Sequence, residues 1–129
     1  MAIKQGVALA RSLEARVTGL TVFPPFHAVA VAPMMVTDTP DQYKKDCDIL
    51  GDRYLRVLED TARTDAVRCT IIQMEAEHPY QAIIETAEKE GCDLIFMASH
   101  GRKGVTALLL GSETTKVLTH SKIPVLVCR

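Results

Sequence analysis

Basic clusters, long apolar runs and paired cysteines are what this 129-residue chain lacks. Its 15 Lys and Arg residues are spread among 16 Asp and Glu, for a net charge of −1. A nucleic-acid binder needs a basic patch and a peripheral membrane protein a polybasic one, so neither partner is expected. No apolar run approaches the roughly 20 residues needed to span a bilayer. Met1 leads straight into an amphipathic pattern, so no secretory leader is expected and a cytoplasmic location is. The four cysteines, Cys47, Cys69, Cys92 and Cys128, form no C-x-x-C pair and stand at no metal-finger spacing from a histidine. They read as small buried hydrophobes in a reducing compartment, with Cys128 near enough to the end to meet a partner chain. His27, His78, His100 and His120 are too scattered for a metal triad. There is no G-x-S-x-G elbow, no P-loop and no dinucleotide fingerprint.

What is present is a core and a clear alternation. Apolar residues make up 47% of the chain, enough for one domain over residues 1–129. Residues 2–13 place Ile3, Val7 and Ala10 on one helical face. Residues 17–23 are a β-branched strand that Pro24-Pro25 ends. Residues 26–39 show no period and read as a loop, either packed on itself or serving as a lid or partner contact. Thr39-Pro40-Asp41-Gln42 has the form of a capping box. It opens a helix whose predicted inner row is Tyr43, Cys47, Leu50, Tyr54, Val57 and Thr61. Lys44, Asp48, Asp52 and Arg56 form its outer row. Residues 67–74 alternate as a second strand, and Glu75 and Glu77 read as solvated. Pro79 starts a helix that His78 is expected to cap and Gly91 to end in a left-handed turn. Residues 93–98 are a continuous apolar run, the pattern of a strand covered on both faces, with Asp93 in its entry turn. A helix over residues 112–120 and a strand over 124–128 follow.

Strands alternating with helices imply an α/β fold with an open parallel sheet covered on both faces. One feature breaks the pattern. The first helix has no strand before it, whereas a helix on a parallel sheet is normally the crossover of a strand–helix–strand unit. The expectation is either a strand ahead of Ala2 or something else in its place.

Chemistry concentrates in residues 97–112. Ser99-His100-Gly101-Arg102-Lys103-Gly104 follows the buried strand, and Gly111-Ser112 opens a helix. Gly101, Gly104 and Gly111 allow backbone amides to approach a ligand, and a helix start favours an anion. Arg102 and Lys103 supply positive charge, and Ser112, Thr114 and Thr115 supply hydroxyls. The same residues also fit plain turn formation with Ser112 as N-cap. His100 has no carboxylate or nucleophile at a recognisable spacing, so no catalytic residue is assigned.

The string Met97-Ala98-Ser99-His100-Gly101, nine residues, Gly111-Ser112 and then Ile123-Pro124-Val125-Leu126-Val127 resembles the universal stress protein family. That family's motif is Gly, two residues, Gly, nine residues, Gly-Ser. The resemblance is strongest over residues 92–129 and looser over 17–24, 39–42 and the His78-Pro79 turn. It implies the adenine-nucleotide α-hydrolase-like fold, a parallel sheet of order 3-2-1-4-5, here with strand 1 missing. It implies a cytoplasmic stress-response protein that binds ATP or AMP, with magnesium only alongside ATP. It also implies a homodimer through the last strand, residues 124–128. By matching positions, Gly101, Gly111 and Ser112 would hold phosphates, with Thr114 and the Glu113 amide beside them and Arg102 nearby. Met97, Ala98 and His100 would lie against ribose and base, and Val22 against adenine. Ala98 replaces the first motif glycine, which is tolerable only where φ is negative. Two further readings stay open, a dimeric interaction module without nucleotide and a slow ATP hydrolase using Arg102 and Lys103.

Overall fold

The computed structural model describes residues 2–29, 39–100 and 110–129. Its elements are α1 (Ala2–Ser12), β1 (Val17–Phe23), α2 (Phe26–Val29), α3 (Pro40–Thr64), β2 (Cys69–Glu75), α4 (Pro79–Lys89), β3 (Ile95–Ala98), α5 (Ser112–His120) and β4 (Val125–Cys128). Residues 30–38 of the expected loop and residues 101–109 of the expected anion loop lie outside the described residues. Where residues 26–29 were expected to be loop, they form one helical turn, closed by the Ala28 N–H donating to the Pro25 carbonyl at 3.0 Å. Two prolines preset the backbone for that turn without needing a periodic pattern.

All pairing is parallel, but the sheet is in two halves. β1 pairs with β2 from Val17↔Cys69 to Phe23↔Glu75, and β3 pairs with β4 from Ile95↔Val125 to Ala98↔Cys128. Among the described residues no ladder joins the halves. This is the order expected of a 3-2-1-4-5 sheet without its central strand. The helices hold the halves together. Val7 and Ala10 of α1 pack with Ala62 of α3, Val67 and Val17 on one half. Gly6 of α1 lies so close over Phe96 of β3 that a Cβ there would stand 3.1 Å from the ring. On the β3–β4 half, Ile95 and Met97 pack with Ala87 of α4 and Val117 of α5.

Helix ends follow local chemistry. Thr39 caps α3, its hydroxyl accepting from the Gln42 N–H at 3.2 Å, with Pro40 in the first turn. The Gln42 side chain, expected to complete a capping box, donates instead to Asp46 at 2.9 Å. Gly91 ends α4 at φ 66°, and Cys92 N–H donates to the Ala87 carbonyl across the turn. His78 holds the N-cap position of α4 without a side-chain cap bond.

Two burial expectations are corrected. In α3 the inner row runs through Tyr43, Cys47, Leu50 and then Gly51, Leu55, Leu58 and Ala62, while Tyr54 and Val57 are 36% and 51% exposed. A Cβ at Gly51 would collide with Gln73 and Phe23, so the helix touches the sheet most closely where it has no side chain. A hydropathy row that omits glycine therefore drifts by one position. In β3 only Ile95 is fully buried, with Phe96, Met97 and Ala98 partly so, because the edge facing β1 is open.

Candidate functional site

The site grows from the junction between the end of β3 and the start of α5. Ser99 N–H continues the ladder by donating to the Cys128 carbonyl at 2.7 Å. The Ser99 carbonyl then accepts the Gly111 N–H at 2.8 Å, and the Ala98 carbonyl accepts the Thr114 hydroxyl at 3.1 Å. Ser99 and Thr114 are both buried. These two bonds tie the ends of the loop together and fix the α5 N-terminus against the strand.

Gly111, not Ser112, is the N-cap of α5, and Ser112 is its first helical residue. The first i→i−4 bond of the helix is made by Thr115 N–H to the Gly111 carbonyl at 3.0 Å. The amides of Ser112, Glu113 and Thr114 therefore precede the helical ladder, at the positive end of the helix dipole. Ser112 is exposed beside them. Gly111 has φ −57° and ψ 147°, a conformation open to any residue.

Glu113 turns its carboxylate away from those amides. Oε2 accepts the Tyr80 N–H at the start of α4 at 2.9 Å, and Oε1 pairs with Lys116 at 3.2 Å. A carboxylate in the first turn would otherwise compete with an incoming anion for the same donors. Here α4 and Lys116 hold it.

His100 Nδ1 lies 2.7 Å from Ser99 Oγ, and its Nε2 is buried with no hydrogen-bond partner among the described residues. A buried imidazole nitrogen without a partner is costly.

The remaining sequence-expected residues are placed as follows. Ala98 lies in β3 in register with Cys128, and it is absent from the residues of positive φ, so alanine is accommodated at the motif's first glycine. Met97 packs into the α4–α5 cluster and also lines the cleft between the sheet halves. Val22 stands near the carboxyl end of β1, in the other half, in register with Met74. Gly101 and Arg102 lie outside the described residues, as do Lys103 and Gly104. Ser99 was not singled out from the sequence, though strand alternation past Ala98 turns its backbone toward β4. The Glu113 carboxylate had no signal at all, because its partner Tyr80 is 33 residues away.

The profile of the Universal stress protein family matches residues 1–129, and the chain belongs to that family. It is 28% identical over 131 residues to universal stress protein MJ0531 of Methanocaldococcus jannaschii, covering 99% of this chain and 73% of that protein. It is 45% identical over 51 residues to universal stress protein MJ0577 of the same organism, 40% of this chain and 32% of that one. The solved structure of MJ0577 superposes with a TM-score of 0.78 at 25% identity, covering 98% of this chain and 83% of that chain. A universal stress protein solved in complex with cAMP superposes with a TM-score of 0.62 at 21% identity, covering 99% and 84%. These structures bear out the α/β fold with parallel strands. Among the described residues no helix is long and apolar enough to cross a membrane.

Proposed function

We propose that this protein is a regulatory stress-response module that binds an adenine nucleotide, ATP or AMP, at the junction of β3 and α5. The observation that carries the reading is the open α5 N-terminus. Three backbone donors precede the helical ladder, Ser112 is exposed beside them, and the nearby Glu113 carboxylate is held elsewhere. That is the arrangement that takes a phosphate. A protein of the same fold is known in complex with cAMP, which supports an adenine ligand. On this reading Gly111, Ser112, Glu113 N–H and Thr114 surround the phosphates with Gly101 and Arg102. Ala98, His100, Met97 and Val22 lie toward ribose and base. Magnesium would accompany ATP only. The protein acts by its bound state and assembles as a homodimer through β4, where Leu126 is 40% exposed.

Isothermal titration with ATP and AMP tests it. Saturable binding is expected below millimolar nucleotide, and none at millimolar would sink the proposal. Gly111→Leu should abolish binding while the melting temperature stays within a few degrees, because the backbone angles there suit leucine. Unchanged affinity in that variant would remove the phosphates from this helix start.

A second reading, an interaction module without nucleotide, is favoured by one observation. The two sheet halves are separated on the side of the site where Val22 and Ala98 would share a ligand.

A further inference from the structure

A negative charge stands beside the helix start proposed to take a phosphate. Glu113 follows Ser112 in the first turn of α5, and its own amide is one of the three that precede the helical ladder. Its two carboxylate oxygens are engaged separately. Oε2 accepts the Tyr80 N–H at 2.9 Å, and Oε1 pairs with Lys116 at 3.2 Å. The first bond ties it to another helix, α4, so tertiary structure fixes where the carboxylate lies. That tether takes a competing acceptor off the amides but leaves its charge close by. A glutamate carboxylate lies within about 6 Å of its own N–H by covalent reach, and an anion on that N–H stands about 3 Å beyond. The two negative groups would then be roughly 6–9 Å apart. Lys116 offsets the charge only in part, because its side chain is 50% exposed and such a pair is weak in water.

We infer that Glu113 is a specificity-determining residue, a fixed charge that biases this site toward adenine nucleotides with one phosphate over those with three. The inference rests on the phosphate reading of the α5 helix start and adds to it the ligand class that the site discriminates. Repulsion between the carboxylate and a ligand scales with the ligand's charge. At that separation, beside a partly exposed group, each unit of ligand charge at the helix start costs about two- to fivefold in affinity. The charge rises from a cyclic monophosphate to AMP, and again to ATP without magnesium. A free side chain in a first turn could swing into solvent as an anion arrives. Glu113 is held by the Tyr80 N–H, so its charge stays where the phosphate meets it. Magnesium on ATP would blunt the discrimination by neutralising phosphate charge.

The test is calorimetric titration of cAMP, AMP and magnesium-free ATP into the wild-type protein, Glu113→Gln and Glu113→Ala at low salt. Glutamine keeps an oxygen for the Tyr80 N–H and loses the charge, whereas alanine loses both. Each variant should bind all three nucleotides more tightly. The gain should be about twofold or more for cAMP, larger for AMP and larger again for ATP. High salt should shrink the gains, because it screens a charge pair at this distance. Binding by the variants alone would be the extreme form of the same result. No gain in either variant, or one equal for the three nucleotides, would overturn the inference and leave the phosphate reading intact. A gain with alanine alone would assign the effect to a loosened α4–α5 joint and would also overturn it. Absence of binding to all three proteins at millimolar nucleotide would instead sink the phosphate reading, and this inference with it.

Discussion

At the scale of single residues, Tyr43 shows how one side chain anchors an element whose neighbours were unreadable from sequence. Its hydroxyl donates to the Pro24 carbonyl at 2.7 Å and its ring meets Phe26 at 5.6 Å, tying the first turn of α3 to the exit of β1. Burial first, then a hydrogen bond and charge interaction with Cys47 and the charge of Glu75, push its phenol up to about 12. The folded value lies above the ordinary value of about 10. Stability from this group is therefore complete below pH 10 and is lost as pH rises from 10 through 12. An ultraviolet titration of the folded protein should show one tyrosine ionising late, and Tyr43→Phe should delete that late phase. If the late phase survives in the variant, the anchor is not Tyr43. Cys69 is shifted upward as well, by burial and then by Glu59, although all four cysteines are half-buried where the sequence reading had them buried.

At the scale of elements, the joint between α4 and α5 sets the posture of the candidate site. Glu113 caps α4 from another helix, Lys116 lies 5.6 Å from the Tyr80 ring centroid, and the His120 ring stands 5.2 Å from Tyr80. Glu113→Ala should cost about 1 kcal/mol in urea unfolding, as for loss of an N-cap. Lys116→Ala should cost under about 0.5 kcal/mol, since its ion pair is half exposed. Equal costs would mean the ion pair and not the cap holds the joint. Local signals served the sequence reading well here. The limits of β1 and α5 follow from β-branched runs and from Gly111-Ser112, and the Gly91 turn from its glycine. What was illegible is tertiary. The phase of α3 depends on Gly51 touching Gln73, the inward turn of Met97 depends on α4, and the cap of α4 comes from a residue far along the chain.

At the scale of the whole molecule, the sheet of the described residues is two parallel pairs, and helices bridge them. α1 is one such bridge: Val7 and Ala10 pack with Ala62, Val67 and Val17 on the β1–β2 half, while Gly6 lies over the Phe96 ring of β3. A Cβ at Gly6 would stand 3.1 Å from that ring, so the glycine sets how near α1 comes to the second half. Gly6→Val should therefore lower stability in urea unfolding by about 1 kcal/mol or more, as added bulk does in a packed contact. An unchanged midpoint would show that Phe96 yields and that the spacing of the two halves is set elsewhere.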